Sequence, residues 1–351
     1  MALVMAIGSV LAVSNVSAAE VAGDALSIYG KLHLSIDASD KDDGSATASN
    51  TSISSNSSRL GFKGKHDLNN GMAVIWQVET EVDPVSTGMD LASRNSFAGL
   101  KGNFGTVILG HHDTPFKAVG GNWDLFGDTI GDRRAILGAS HDDNNKLNNR
   151  GKNALMYSNS FGSIELQAMY STDGEDSANG VVDNNNNDMT SLALMYKEGP
   201  LSLAVAQESW KSLSTFGGVD GTRVAAGYVF GEARVGAIYE TTKGTAGTSD
   251  QWSRDVMGVN AAYKMMADTT LKLQYLSAGD SDVGVDTGAT MTTVGLSRKM
   301  DKQTELYLAY TATKNDTNAK FQAVDGGHGD EVKTIDGGSP SAFSAGMVYK
   351  F

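Results

Sequence analysis

Residues 58–82, SRLGFKGKHDLNNGMAVIWQVETEV, decide the fold class because two alternating segments flank a single tight turn. In the first segment Leu60 and Phe62 lie on one face. Arg59 and Lys63 lie on the opposite face, and the second segment alternates in the same way. The LNNG between the segments is an Asn-Gly turn of the kind that closes hairpins. Alternation with a period of two therefore predicts a β-hairpin with one apolar and one polar face.

The same pattern of short alternating segments continues from Ser27 to Phe351. We count about sixteen such segments, joined alternately by about seven tight turns and about eight longer polar loops. An even number of strands with this division of turns and loops is typical of an outer-membrane barrel. A barrel of about sixteen strands is too wide for side chains to fill, so its lumen would hold water. The predicted fold is therefore all-β, a transmembrane antiparallel β-barrel.

A soluble β-sandwich is the alternative architecture. A sandwich of this length would need a strongly apolar core, whereas the second face of these segments carries many glycine, alanine and polar residues. The 41 glycines against 4 prolines also fit many strands and tight turns. Aromatic residues near the segment ends fit the interfacial girdle of a membrane barrel, namely Phe104, Tyr196, Tyr228, Phe230 and Tyr263.

The composition indicates in which compartment the protein acts and which partners it can bind. The first residues, MALVMAIGSVLAVSNVSA, are apolar and end in small side chains, which predicts a signal peptide over residues 1–19 and a barrel domain over residues 20–351. A buried N-terminal helix is the alternative. The 351-residue chain has no cysteine, so disulfides cannot stabilise the exported protein. A formal charge of −13 argues against a nucleic-acid partner.

One long segment, residues 111–152, interrupts the regular alternation of strands and connections. Loops of this length inside a compact domain are uncommon and usually functional. Several of its side chains require burial, and Trp123, Leu125 and Phe126 are predicted to anchor the segment by packing. The same segment carries many aspartates. We therefore expect it to pack into another part of the fold and to present acidic groups there, and the lumen of a wide barrel has room for it.

Seven motifs distributed along the chain resemble one known family. They are YGKL near the mature start, SRLGFKG, DLNNGMAVIWQVE, RNSFAGLKGNFGTVILG, HHDTPFK, DLFGDTIGD and the terminal MVYKF. In these motifs and in their order the sequence resembles the trimeric general porins of Gram-negative bacteria, the proteobacterial branch that includes neisserial porins. The resemblance implies a homotrimer in outer-membrane lipid, with the third loop folded into the lumen. It also implies passive diffusion of small hydrophilic solutes and ions across the outer membrane. The terminal Phe351 matches the residue type by which such proteins are recognised for assembly.

Strand parity then predicts which charges meet in the lumen. The basic side chains of the polar faces are Lys31, Arg59, Lys63 and Arg94, with Arg223, Arg234 and Lys272 as further candidates. The acids expected opposite them on the long loop are Asp113, Asp124, Asp128 and Asp132. Rows of opposite charge across a narrow aqueous passage give a transverse field, focused by the low-dielectric walls. In the alternative interpretation Asp124 and Asp128 pin the loop, and Arg133 and Arg134 pair with the loop aspartates.

Three other functions stay open at this point. An anion- or solute-selective channel of the same fold would show strong ion preference or saturable conductance. An adhesin or structural barrel would act through its exposed loops and would not conduct. A membrane-embedded hydrolase is disfavoured because no catalytic motif accompanies the histidines, and we expect no enzyme activity. No cofactor and no metal site is predicted, because neither a phosphate loop nor a zinc pair is present in the sequence.

Overall fold

The structure is a computed structural model. It describes residues 19–20, 25–45, 49–86, 88–139, 147–172, 188–211, 218–246, 250–324 and 326–351. Residues 1–18 of the predicted signal peptide and residues 140–146 of the predicted inward loop lie outside the described residues. The signal peptide therefore stays a prediction.

Within these described ranges, sixteen antiparallel strands form one closed sheet, as the alternation predicts. They are β1 (Ser27–Asp40), β2 (Ser49–Ser55 and Arg59–Asp67), β3 (Ala73–Asp83), β4 (Gly88–Asp90 and Ser96–Gly102), β5 (Gly105–Asp113), β6 (Arg150–Phe161), β7 (Ile164–Ser171), β8 (Met189–Glu198), β9 (Leu201–Trp210), β10 (Val219–Phe230), β11 (Ala233–Ala246), β12 (Asp250–Lys264), β13 (Thr269–Ala278), β14 (Ala289–Lys299), β15 (Thr304–Asn315) and β16 (Ser341–Lys350). Strands β2 and β4 are each interrupted once. A two-residue strand, Ala19–Glu20, pairs with the start of β1.

The last strand closes the barrel on the first. β16 pairs with β1 from Ser341 opposite Asp40 to Lys350 opposite Lys31. The terminal residue extends this ladder, because the Phe351 N–H donates to the Gly30 carbonyl at 3.1 Å and the Gly30 N–H donates back at 2.9 Å. Closure gives each strand a paired neighbour on both sides, as a lipid environment requires. Near the strand interruptions serine hydroxyls take over, and the Glu79 and Glu81 N–H groups donate to Ser96 and Ser93.

The alternation of side chains is visible in most of the long strands. In β8, Ser191 and Ala193 point inward and are buried, whereas Leu192 and Leu194 point outward and are exposed. The outward apolar side chains form a belt around the barrel, which includes Leu192, Leu194, Leu203, Val205, Val224, Tyr239, Met257, Val259, Leu273, Tyr275, Val294, Leu296, Leu308, Tyr310 and Phe343. An outward apolar band of this kind matches the hydrocarbon region of a bilayer.

Turns and loops separate to the two ends of the barrel. Seven turns of two to five residues join the strands at one end of the part that the structure describes. Gly199 and Gly231 take φ values of 54° and 59° in two of these turns, a region that other L-residues rarely adopt. Two long connections, residues 114–149 and 316–340, start from the opposite end.

The long loop is shorter at both ends than the predicted segment, residues 111–152. Strand β5 continues to Asp113 past a bulge between Gly110 and His112, and β6 begins at Arg150. The bulge breaks the period-two pattern, which is why the strand seemed to end at Gly110. The loop also contains a helix, α1 (Pro115–Trp123), that was not predicted. No helix of the described residues is both long enough and apolar enough to span a bilayer.

Candidate constriction site

The local sequence explains why α1 forms where β5 ends. The Thr114 side chain caps the helix by accepting the Lys117 N–H at 3.2 Å, and Pro115 occupies the first turn. Proline is favoured there because its missing N–H would be unpaired in any case. Phe116 and Trp123 are buried on the same face of the helix. The Thr-Pro start with apolar residues at helical spacing was the signal that could have revealed the helix.

Arg223 of β10 fixes the start of the helix to the barrel wall. Its guanidinium donates to the Phe116 carbonyl and to Asn148 Oδ1, both at 2.8 Å, and forms an ion pair with Glu240. The Arg223 and Glu240 side chains are completely buried. Arg223 was a further candidate for the pore wall, but its donors are engaged in anchoring the loop.

The end of α1 is held by side chains from two other strands. Arg234 of β11 donates to the Asn122 carbonyl at 3.0 Å, and Asn260 of β12 donates to the Trp123 carbonyl at 2.7 Å. The last carbonyls of a helix have no partner within the helix, so these wall residues satisfy them. Arg234, another candidate for the pore wall, thus also contacts the loop.

The barrel interior on this side is apolar enough to bury the loop. Phe116 and Val119 of α1 and Leu147 pack into one cluster with inward-facing residues of the wall. Those wall residues are Ile108, Ala154, Met156, Met169, Met189, Ala193, Met195, Ala206, Trp210, Val219 and Trp252. The loop also packs against the rest of the wall, because Ile136 lies in a second cluster with Leu276 of β13 and Met291 of β14. Phe126 and Ile130 lie in a third cluster with Ala309 of β15.

Two of the predicted loop acids are used inside the loop itself. Asp124 accepts the Phe126 N–H at 2.8 Å and the Arg133 guanidinium at 3.1 Å. Burial, together with the neighbouring Asp132, raises the pKa of Asp124 to about 6. Asp132 is also buried, but Arg134 at 2.6 Å outweighs burial and lowers the pKa of Asp132 below its ordinary value.

Asp128 is the loop acid that meets the basic wall. Burial alone would raise its pKa, but Lys31, Arg134 and Arg59 hold the pKa of Asp128 well below its usual value. The Asp128 carboxylate lies 2.8 Å from Lys31 Nζ, 2.9 Å from Arg134 Nη2 and 3.4 Å from Arg59 Nη2. Its backbone has a φ of 60° and is held by the Asp128 N–H donating to Asp132 Oδ2 at 2.7 Å. Asp132 therefore orients the acid that faces the wall.

The wall contains an acid that the sequence interpretation did not single out. Glu79 of β3 lies 2.8 Å from Arg94 Nε and 3.8 Å from Arg59 Nη1, and it accepts the Tyr29 hydroxyl at 2.9 Å. The strand pattern places Glu79 on the polar face. Only the tertiary structure shows that the Glu79 carboxylate lies between the guanidinium groups of Arg59 and Arg94.

The remaining two predicted residues lie in other contacts. The Lys63 ammonium is 5.0 Å from the centre of the Tyr29 ring. Asp113 forms ion pairs with Lys117 at 2.8 Å and with Arg150 at 3.1 Å, beside the base of the loop. The structure thus brings together Lys31, Arg59 and Asp128, while Lys63 and Asp113 lie in separate contacts.

A polar cavity of about 530 Å³ opens beside this cluster, on the side of the lumen that the loop leaves free. Its cationic lining residues in the described chain are Lys31, Arg59, Lys272, Lys299, Lys302 and Lys350. Its acidic lining residues in the same ranges are Glu79, Asp128, Asp301 and Glu305. The cavity is therefore a charged space in which cationic side chains outnumber acidic ones.

Curated relatives support the same fold along most of the chain. The outer membrane porin protein 32 of Delftia acidovorans is 27% identical over 329 residues, which cover 89% of this chain and 91% of that protein. The major outer membrane protein P.IB of Neisseria gonorrhoeae is 42% identical over 65 residues, and this match spans only 19% of that relative.

Solved structures with little sequence identity have the same barrel. An anion-selective porin from Comamonas acidovorans superposes with a TM-score of 0.78 at 24% identity, over 93% of this chain and 99% of the other. A trimer form of OmpT from Vibrio cholerae gives 0.71 at 21% identity, over 93% and 99% of the two chains. The family model for Gram-negative porins matches residues 2–318. The chain therefore belongs to the Gram-negative porin family.

Proposed function

We propose that this protein is a passive, water-filled channel through which small hydrophilic solutes and ions cross the outer membrane. The observation that carries the proposal is the division of the lumen. The loop packs against apolar residues of the wall from β5 to β16, and a polar cavity stays open beside Lys31, Arg59 and Asp128. A channel of this kind makes and breaks no bonds, so its selectivity comes from pore size and electrostatics.

In this proposal the narrowest charged contact is the one between the loop and the wall. Lys31 and Arg59 supply positive charge, and Asp128 supplies negative charge from the loop. A solute passing beside them experiences a field across the channel, which favours polar solutes with orientable dipoles. Asp124 and Asp132 act on the same site indirectly, because they fold the loop segment that presents Asp128.

A preference for anions is the second candidate function. Six cationic against four acidic side chains line the cavity, in a protein whose formal charge is −13. Low-dielectric walls strengthen the local field, so the lining rather than the net charge would decide selectivity. The solved relative from Comamonas acidovorans is itself described as anion-selective. We propose a weak anion preference for the present channel.

Single-channel recording in a planar bilayer under a salt gradient tests both proposals. The protein should conduct without saturation, and its reversal potential should indicate a weak preference for anions. Arg59→Ala should lower the anion-to-cation permeability ratio about two-fold, because it removes one fixed cation from the narrow region. Arg298→Ala, at an exposed position paired with Asp268, is the matched control and should leave the ratio unchanged.

Each alternative has its own outcome in the same recording. Failure of well-inserted protein to conduct would contradict a channel and would favour the adhesin. A strong, saturable anion current would instead identify a selective channel.

Two further features belong to the proposed function. We infer that residues 1–19 are removed as a signal peptide on export, which N-terminal sequencing of the purified protein would test. We also infer a homotrimer in the membrane. The resemblance to trimeric porins supports this assembly, as does the likeness to a relative solved in a trimer form.

A further inference from the structure

A second long connection also folds into the barrel. Residues 316–340, which we call the outer loop, join β15 to β16, and residue 325 lies outside the described residues. Its buried apolar side chains are Ala319, Phe321, Ala323, Val324 and Val332. Ala323 and Val324 share an apolar cluster with Phe126 and Ile130 of residues 114–149, which we call the constriction loop. Phe321 shares another cluster with Ile136 of the same loop. The two loops therefore share two apolar clusters inside the lumen.

The barrel wall offers the outer loop a docking point where β2 is interrupted. Ser57 has a φ of 51°, and this break in the strand accompanies burial of Asn56 and Ser57. The Ser57 hydroxyl donates to the Gly327 carbonyl at 2.9 Å, and the Gly329 N–H donates to Asn56 Oδ1 at 3.0 Å. In an uninterrupted strand, one of two successive side chains would face the lipid. The break allows both Asn56 and Ser57 to form hydrogen bonds with the outer loop.

A buried polar pair adds a second attachment close by. His328 Nε2 of the outer loop lies 3.3 Å from Asp37 Oδ2 of β1, and both side chains are buried. The backbone N–H and the carbonyl of Asp330 both lie 3.1 Å from His328 Nδ1, so the other ring nitrogen is held by the outer loop itself. The outer loop is thus held on the wall through specific hydrogen bonds as well as by apolar packing.

The Gly326–Gly327 segment of the outer loop lies against Asp128 and Arg134 of the constriction loop. A Cβ atom added to Gly327 would lie 2.0 Å from Asp128 Oδ1 and 2.6 Å from Arg134 Nη2. One at Gly326, where φ is 86°, would lie 2.7 Å from Arg134 Nε. A side chain at either position would displace the Asp128–Arg134 ion pair. Two successive glycines therefore allow the backbone to approach it this closely.

We propose that the outer loop is a second constriction element of this channel. It narrows the lumen beside the constriction loop, and its Gly326–Gly327 backbone positions Asp128 against Lys31 and Arg59. The proposal rests on the channel function proposed above and assigns part of its pore size and selectivity to residues 316–340. Asp128 is the charged group at the pore, and the two glycines are positioning residues that act through it.

Two variants test the two halves of the proposal. In the first, residues 317–339 are replaced by Asn-Gly, which should raise single-channel conductance about two-fold or more, because a packed loop no longer occupies the lumen. In the second, Gly327→Ala should push Asp128 away from Lys31 and Arg59. The reversal potential should then shift toward stronger anion preference, in the same direction as Asp128→Asn. Gly279→Ala is the matched control, since its Cβ would meet nothing closer than 3.5 Å.

The results separate failure of this proposal from failure of the channel function. If the wild-type protein conducts but the folded deletion variant retains wild-type conductance, the outer loop does not narrow the pore. If Gly327→Ala keeps the wild-type reversal potential while Asp128→Asn shifts it, the glycines do not position Asp128. Far-UV circular dichroism and heat-modifiable mobility in gels check that the deletion variant is folded. If it is not, the Gly327→Ala result decides.

Discussion

At the scale of single residues, the same residue type has two different uses inside this barrel. Arg59 borders the polar cavity, whereas Arg223 is completely buried between α1 and the wall. Both are basic residues on inward faces of strands, and sequence parity treats them alike. What separates them is the neighbour on the other side of the lumen, which is Asp128 for Arg59 and the helix start for Arg223.

The buried Arg223–Glu240 pair should be important for the stability of the loop. Arg223→Met preserves much of the side-chain volume but leaves Glu240 without its ionic partner in a buried site. Losing one partner of a buried pair costs about 3–5 kcal/mol, so the free energy of unfolding should fall by an amount of that order. Urea titration in lipid vesicles measures it, together with protease cleavage of the loop.

The matched control for this variant is Arg298→Met. Arg298 lies 3.0 Å from Asp268 on the exposed rim, where solvent screens the pair. We expect no measurable change in stability from the control. Equal stability of both variants would show that the loop is held by its apolar contacts alone.

At the scale of elements, α1 depends on a cap that is supplied by the residue just after β5. Thr114 is buried and accepts the Lys117 N–H, so it ends the strand and begins the helix. The chain can turn from the wall into the lumen there because the cap satisfies a backbone donor that would otherwise be unpaired.

Removing this cap should loosen the start of the constriction loop. Thr114→Ala is expected to reduce stability by about 1 kcal/mol and to increase current noise, because the first helical turn frays. Thr114→Ser retains a hydroxyl and should restore both properties. Open-channel noise and thermal melting of the three proteins measure the effect. If serine fails to rescue, the loss of the threonine methyl group, rather than of the cap, would explain the change.

At the scale of the whole molecule, the lumen is asymmetric. Apolar inward side chains from β5 to β16 bury the constriction loop, and a cavity of about 530 Å³ stays open beside Lys31, Arg59 and Asp128. The outward face is an apolar belt in the single chain. A belt of this kind can face lipid or another copy of the chain. In the proposed homotrimer one part of the belt would contact the neighbouring chains, and the rest would face lipid.

The proposed assembly predicts the mass of the native particle. Protein extracted in mild detergent should elute with a protein mass of three chains in light scattering, and heating should convert it to single chains. The expectation follows from the apolar belt, which association covers without exposing polar backbone. A single-chain particle that still forms conducting channels would contradict the homotrimer and leave the channel function standing.

The sequence determined the class of fold and much of its order. Period-two alternation, Asn-Gly and glycine turns and the long acidic segment were enough to predict an antiparallel barrel of about sixteen strands with one long loop. These features are local, because each strand shows its own two faces within a few residues. The family motifs added the expected third-loop constriction. Where the pattern is broken locally, as at the bulge after Gly110, the prediction of the strand end was wrong.

Tertiary structure alone decided which charges meet. Strand parity identified Lys31 and Arg59, and the long loop contributed Asp128, among many candidate charges. Neither could show that the Glu79 carboxylate lies between Arg59 and Arg94. It also gave no sign that residues 316–340 pack on the constriction loop. Contacts across a lumen join residues that are far apart in sequence, and their partners depend on strand order, loop path and burial together. Such pairings exist only once the barrel has closed, because no local pattern specifies the distance between two walls.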